Sequence, residues 1–217
     1  LVKWFGDVPL KVDERIQFGD QFDIDRTPKS EVYAQIEADL IYAEANLPVT
    51  QAEAGRITKG AAQALLGKAY LYQDKFSDAA QVLDRVIGSG NYELVEDYES
   101  IFELEGENNS ESVFEVQYSD KEGAGFGCLQ CSEGNVAVGF NGIRNYTGPT
   151  FGSGFSFNVP TEEAYSFFDE GDIRRDVAVL DIVAWSEETG ATYSTGYEHT
   201  GYYNRKYIAR QGGLNTP

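Results

Sequence analysis

The sequence predicts a mainly α-helical protein built from tetratricopeptide-like helix pairs, with long irregular loops and a few short strands. Three apolar patterns of helical period lie between residues 27 and 90. The stretch KGAAQALLGKAYLYQDKFSDAAQVL (59–83) adds small residues at helical spacing, which lets two helices approach closely. Beyond residue 90 the chain is rich in Gly, Asn and aromatic residues, a composition that indicates loops.

The first helix is predicted in TPKSEVYAQIEADLIYAEANLP (27–48). Thr27 fits the N-cap, Pro28 fits the first helical position, and Pro48 marks the end. The apolar residues of one face are Val32, Ile36, Leu40, Ala43 and Leu47. Their period of about 3.6 residues predicts an amphipathic helix that packs against a neighbour.

The second helix is predicted to start near Thr58, and the third to follow Ser77 and close at Gly88–Gly90. The residues of the second helix that we expect to point inward are Ala62, Leu65, Leu66, Ala69 and Tyr70. The apolar residues of the third helix are Ala79, Ala80, Leu83, Val86 and Ile87. Both helices are therefore expected to bury one face.

Together these two helices match one tetratricopeptide unit, in which Leu-Gly and a Tyr three residues later precede a helix with Ala and large apolar positions. The matching residues are Leu66, Gly67 and Tyr70, then Phe76, Ala79 and Leu83. Gly67 lets the antiparallel neighbour sit close. Because one unit cannot bury its apolar face alone, we expect further helices to pack on it.

The region after residue 90 changes character. Phe114, Val116 and Tyr118 alternate with polar and smaller residues and predict a strand. The segment 121–158 predicts a long, glycine-punctuated loop, and loops of this length in compact domains are usually functional. A short helix is expected in TEEAYSFFDEGDIRRD. We expect one domain over 1–217, with a helical scaffold over about 27–91 and a loop-rich, ligand-side region over about 92–217.

Composition excludes two classes of function. The net charge is −19, from 36 acidic and 17 basic residues, so the surface repels nucleic-acid phosphates. No apolar run approaches the ~20 residues that span a bilayer. The chain has no Met and opens on LVKWFGDVPL, which favours a processed or partial chain.

A series of motifs in a fixed order resembles the SusD/RagB family. The series runs FGDVPL, R-x-P-x-x-E-V-Y, N-L-P, G-R-x-T-K-G-A-A, A-Y-L-Y, S-G-x-Y-x-L, F-E-x-E-x-x-N-x-S-E-S-V-F-E-V-Q-Y, P-T-E-E-x-Y and G-D-x-R-R-D. The resemblance covers nearly the whole chain, from Gly6 to Lys206. No single motif is decisive, but their number and order make chance agreement improbable.

The resemblance implies a nutrient-binding lipoprotein at the surface of the outer membrane. Such proteins capture glycans, or sometimes peptides, for import through a SusC-like TonB-dependent transporter, with tetratricopeptide-like helices as scaffold and loops as ligand site. Relative to the family pattern, the chain lacks the lipoprotein signal, the anchor Cys, the N-terminal helices and the C-terminal R-Y-A-E-type helix. The lipid anchor is therefore expected outside this chain.

The aromatic residues of the long loop carry the ligand-site prediction. Sugar rings stack their C–H faces on exposed aromatic rings, while Asn and Arg side chains bond the hydroxyl groups. The loop aromatics are Phe126, Phe140, Tyr146, Phe151, Phe155 and Phe157. From their position we select as ligand-binding residues Phe126, Phe140, Asn141, Arg144, Asn145, Tyr146 and Phe151. Tyr146, in GIRNYTGP, is expected to present an exposed ring.

The remaining chemical groups predict no enzyme, cofactor or metal. His199 is the sole His and lies in a turn-like stretch, and no acid is identified in an apolar pocket that would raise its pKa. Cys128 and Cys131 form C-L-Q-C in a glycine-rich loop; a small disulfide fits this context better than a redox motif. Calcium at Asp120, Glu122 or the Glu105–Glu111 run stays open, although no regular ligand spacing supports it.

Two other classes of function stay open beside glycan capture. A tetratricopeptide-type adaptor for proteins would account for the helices but not for the aromatic loop. A secreted glycan-active enzyme would account for the aromatics but lacks an identifiable acid pair.

Overall fold

A computed structural model describes residues 1–13, 15, 17–19, 24–117 and 137–211. The chain divides into two compact units. The first unit is Leu1–Leu94 with Ser110–Glu115, and the second is Val95–Asn109 with Val116–Pro217. This division falls close to residue 91, where the sequence changes character. One domain over the whole chain stays a prediction.

The first unit is a stack of helices. Its elements are α1 (Val2–Phe5), β1 (Val8–Pro9), β2 (Arg26–Thr27), α2 (Lys29–Asn46), α3 (Lys59–Leu71) and α4 (Phe76–Ile87). Helix α3 packs against both α2 and α4, and the short strands β1 and β2 pair antiparallel. The predicted helix pairs are therefore confirmed.

The helix starts differ slightly from those predicted. Thr58 caps α3 as expected, because its Oγ1 accepts a hydrogen bond from Ala61 N at 3.3 Å. Helix α2 begins one residue late, at Lys29, since Thr27 belongs to strand β2 and Pro28 is the N-cap. Helix α4 begins at Phe76 rather than after Ser77.

Close packing of α3 on α4 depends on Gly67. A Cβ atom at this position would lie 2.6 Å from Leu83 Cδ2 and 3.2 Å from Val82 Cγ1. Neighbouring Leu66 is 1% exposed, so both members of the Leu-Gly pair are buried. The helices approach at a distance that no larger residue would allow without repacking.

One expected inward residue of α3 is wrong, because Leu65 is 54% exposed. The buried positions of α3 run through 62–63, 66–67 and 69, and Leu65 lies about 100° away from Leu66 around the helix axis. Gln63 is buried instead, and its Nε2 donates to Glu44 Oε1 at 2.9 Å. This bond satisfies a polar group inside the helix stack.

The second unit contains many short elements separated by loops. They are two 3₁₀ helices (Glu99–Phe102 and Leu104–Gly106), α5 (Ala137–Asn141), β3 (Ile143–Arg144), β4 (Ser153–Gly154), α6 (Glu162–Ser166), α7 (Ile173–Ala178), β5 (Val179–Asp181), α8 (Ile182–Thr189), β6 (Tyr202–Asn204) and a 3₁₀ helix (Arg205–Tyr207). Strands β3 and β4 are parallel, whereas β5 and β6 are antiparallel. The core cluster is Ile143, Tyr146, Phe151, Leu180, Ile182, Ala191, Tyr203 and Ile208.

Two secondary-structure predictions in this region need correction. Residues 113–117 form no strand, and Tyr118 lies outside the described residues. Phe114 and Val116 alternate as expected, but both are exposed and no described segment pairs with them. The single helix predicted over 161–176 is split into α6 and α7, because Gly171 has a left-handed φ of 84° between them.

No helix in the described part of the chain is both long and apolar enough to cross a membrane.

Candidate functional site

Three short segments of the second unit form a small ladder. Strand β3 pairs in parallel with β4 on one edge. On the other edge Thr147 and Thr192 exchange two backbone hydrogen bonds of 2.9 Å, and Ser194 N donates to Arg144 O at 2.9 Å. We call this arrangement the ladder: residues 143–147 in the middle, flanked by 153–154 and 192–194.

Glycine residues allow β3 and β4 to meet so closely. A Cβ atom on Gly154 would lie 2.4 Å from Gly142 Cα and 2.7 Å from Gly139 O. These are backbone atoms, which cannot move aside as a side chain can. The glycine-rich sequence predicted a loop. In the structure its glycines allow two backbone segments to approach each other closely.

Three aromatic rings lie together where the chain leaves β4. Phe157 stacks on Phe155 with ring centroids 5.7 Å apart and on Phe140 at 6.0 Å. The amides of Phe155 and Phe157 donate to Gly139 O and Phe140 O, both at 2.8 Å, which ties this segment to α5. Phe157 is 67% exposed. We call Phe140, Phe155 and Phe157 the aromatic platform.

Ser156 fixes the backbone between Phe155 and Phe157 through its side-chain contacts. Its Oγ accepts a hydrogen bond from Arg144 N at 3.0 Å and lies 2.9 Å from the hydroxyl oxygen of Tyr203. Its φ of 56° is left-handed, a conformation that a serine keeps only when its surroundings fix it. With Ser156 held in this way, the ring of Phe157 is exposed and that of Phe155 is half-buried.

Arg144 brings a cation to the platform. Its Cζ lies 5.8 Å from the centroid of Phe157, and its Nη2 donates to Phe155 O at 2.6 Å. Its Nε is buried, and no hydrogen-bond partner for it is found among the described residues. The guanidinium therefore lies beside an exposed ring, which is the pairing of donor and apolar face that sugars require.

Asn145 is exposed at the surface of the ladder, and its Nδ2 donates to Ser194 Oγ at 3.1 Å. Asn141 lies elsewhere: it is 6% exposed, and its Oδ1 accepts from Asn158 Nδ2 at 2.9 Å. Of the two predicted amides, only Asn145 is at the surface beside Arg144.

The expectation of an exposed Tyr146 ring is wrong. Tyr146 is 7% exposed and belongs to the core cluster, as does Phe151 at 3%. Its hydroxyl donates to Pro149 O at 2.6 Å and accepts from Trp185 Nε1 at 2.9 Å. The Gly-Pro turn folds back over the ring, and the Pro149 carbonyl accepts the hydrogen bond from the Tyr146 hydroxyl. The turn that suggested an exposed Tyr146 ring therefore covers this ring.

Of the predicted ligand residues, the structure therefore places Phe140 and Arg144 in contact with the ring of Phe157, leaves Asn145 exposed beside Ser194, and places Asn141, Tyr146 and Phe151 beneath the surface. Phe126, Cys128 and Cys131 lie outside the described residues. Phe155 and Phe157 were not selected from the sequence. The F-S-F spacing carried no signal of their exposure, because Ser156 between them has a left-handed φ rather than an extended one.

The metal-binding residue types of the described part of the chain lie apart from one another. No cluster of three or more His, Cys, Asp or Glu residues there could hold a metal ion. His199 packs between aromatic rings, 5.6 Å from Tyr193 and 6.2 Å from Tyr203 between centroids. Burial raises the pKa of Tyr193, which keeps this phenol neutral.

The helix pairs of the first unit and the short elements and loops of the second define a mainly helical scaffold protein with long irregular loops. No protein-family model matches the chain. A curated relative, SusD-like protein P2 from Formosa agariphila, is 31% identical over 218 aligned residues, which cover 97% of this chain and 42% of the relative.

Solved structures give the same result. A laminarin-binding SusD-like protein is 37% identical, with a TM-score of 0.84 over 94% of this chain and 47% of that one. Surface glycan-binding protein A from Bacteroides thetaiotaomicron, solved with laminarihexaose, is 25% identical, with a TM-score of 0.76 over 90% of this chain and 45% of that one. The chain is similar in sequence and fold to SusD-like proteins, and it spans slightly less than half the length of these relatives.

Proposed function

We propose that this protein captures glycans at the cell surface and that the aromatic platform, with Arg144 and Asn145, contacts the sugar. The observation that carries the proposal is the 67% exposed ring of Phe157, with the Arg144 guanidinium 5.8 Å from its centroid. Such a pair offers an apolar face for sugar C–H groups and donors for hydroxyl groups. Laminarin oligosaccharides are the first ligands to test, because two relatives are named for laminarin or its hexasaccharide.

The proposal includes a role in uptake. The family resemblance supports delivery of the glycan to a SusC-like TonB-dependent transporter in the outer membrane, by a lipoprotein exposed at the cell surface. It also supports binding without catalysis, because the glycan is imported.

The test is calorimetry with laminarihexaose on the wild type, Phe157→Ala and the control Phe167→Ala. Phe167 is 76% exposed and belongs to the same unit, so it matches Phe157 in type and exposure. Removing one stacking ring costs about 1 kcal/mol, so Phe157→Ala should weaken binding about fivefold, and Phe167→Ala should not. The hexasaccharide should be recovered intact.

An equal affinity of wild type and Phe157→Ala would place the glycan elsewhere. Release of shorter sugars by the purified protein would contradict the absence of catalysis.

A further inference from the structure

The third segment of the ladder continues into a loop that ends in a highly exposed tyrosine. After Ser194 the chain passes Gly196 and reaches Tyr197, which is 90% exposed and begins a turn. A Cβ atom on Gly196 would lie 3.5 Å from Arg144 Nε and 3.7 Å from Ser156 Cβ. The loop backbone thus lies directly against the same Arg144 side chain whose guanidinium lies over Phe157, and against Ser156, the residue before Phe157.

This loop is anchored at both ends. On the incoming side, Ser194 N donates to Arg144 O, and Ser194 Oγ accepts from Asn145 Nδ2. On the outgoing side, Glu198 has a left-handed φ of 53°, and the His199 ring lies against Tyr193 and Tyr203. A tyrosine ring at a fixed loop tip loses little conformational entropy when a ligand covers it, so it suits stacking.

We propose that Tyr197 forms a second stacking surface for the glycan, near Arg144 and in addition to Phe157. The inference rests on the proposed function and extends it: the ligand contacts Arg144 and stacks on both Phe157 and Tyr197. Sugar recognition then depends on the ring of Tyr197 rather than on its hydroxyl. Tyr197→Phe should therefore bind as the wild type does, and Tyr197→Ala should not.

The experiment measures laminarihexaose affinity for the wild type, Phe157→Ala, Tyr197→Ala, Tyr197→Phe and the control Phe167→Ala. We expect Tyr197→Ala to weaken binding about fivefold and Tyr197→Phe to change it by less than about twofold. The melting temperature of Tyr197→Ala should be unchanged, because the side chain is almost fully exposed.

Chemical nitration of the wild type gives an independent measurement that needs no variant. Laminarihexaose should protect Tyr197 from nitration, as followed by peptide mass spectrometry, and should not protect Tyr42, which is 71% exposed on α2. One combined result would contradict the role of Tyr197 alone: Phe157→Ala weakens binding, Tyr197→Ala does not, and laminarihexaose leaves Tyr197 open to nitration. The second stacking surface would then be wrong, and the proposed function would stand. A wild type that does not bind laminarihexaose overturns both proposals.

Discussion

The two units achieve close packing by different means. In the first unit the side chains of Leu83 and Val82 pack against Gly67, so one helix lies on another through side chains. In the second unit Gly154 meets the backbone of Gly142 and Gly139 directly. Periodic side chains therefore build the helical unit, whereas backbone crossings and specific hydrogen bonds build the unit that carries the platform.

Among the variants that test this comparison, Tyr146→Ala in the second unit has the largest expected loss of stability. The change removes a buried ring and leaves Trp185 Nε1 without the hydroxyl to which it donates at 2.9 Å. Losses of this kind cost about 3–5 kcal/mol in free energy of unfolding. Urea unfolding of variant and wild type measures this difference.

Phe157→Ala is the matched control, since its ring is exposed and its loss should leave the unfolding midpoint almost unchanged. A Tyr146→Ala protein as stable as the wild type would mean that this core cluster does not hold the unit together.

The corresponding test in the first unit is Gly67→Val. The added atoms would meet Leu83 at 2.6 Å, and because Leu83 is a side chain it can partly move away. We expect a cost of about 1–3 kcal/mol from overpacking, less than for Tyr146→Ala. Thermal unfolding followed by circular dichroism measures it.

Ala80→Val is the control, because Ala80 is exposed on α4 and the added methyl groups enter solvent. It should cost no more than about 0.7 kcal/mol, through the lower helix propensity of Val. Equal melting temperatures for Gly67→Val and wild type would contradict close packing of α3 on α4.

The same difference explains what the sequence could and could not predict. The Leu66–Gly67–Tyr70 pattern located the helix pair, because helical packing repeats with the period of the helix. The burial of Tyr146 could not be predicted from GIRNYTGP, since it depends on Trp185, which lies 39 residues away along the chain. The burial of Leu65 was predicted wrongly for a simpler reason. Successive residues are about 100° apart around a helix axis, so an error of one position moves a side chain from the buried face to its edge.

The aromatic platform was predictable from the sequence to an intermediate degree. The composition of 121–158 indicated aromatic residues for stacking, but the exposure of each ring depends on how the backbone around it is held. Ser156, held by Arg144 N and by the Tyr203 hydroxyl, fixes the backbone between the half-buried Phe155 and the exposed Phe157. These contacts join residues 12 and 47 positions apart, which local sequence patterns do not encode.

The smallest expected effect concerns charge in the helical unit and is measured through pH. Arg85 donates to both oxygens of Glu44 at 2.9 Å, and Gln63 also donates to Glu44 Oε1. The Arg85 hydrogen bonds lower the pKa of Glu44 below its ordinary value of 4.5, with a smaller contribution from Gln63, while partial burial opposes them. A carboxyl group whose pKa is lowered by folding stabilises the folded state above its unfolded pKa, and this contribution is lost as pH falls.

Glu44→Gln should therefore be less stable than the wild type at pH 7, by no more than about 1 kcal/mol because Arg85 is half exposed. As the pH is lowered below 4.5, the two stability curves should converge, since the wild-type carboxyl becomes protonated. Urea unfolding from pH 7 to pH 3 follows this convergence. Glu53→Gln is the control, because Glu53 and its partner Arg56 are both largely exposed and should contribute little at any pH. A constant gap between wild type and Glu44→Gln across this range would mean that packing of the side chain, and not its charge, joins α2 to α4.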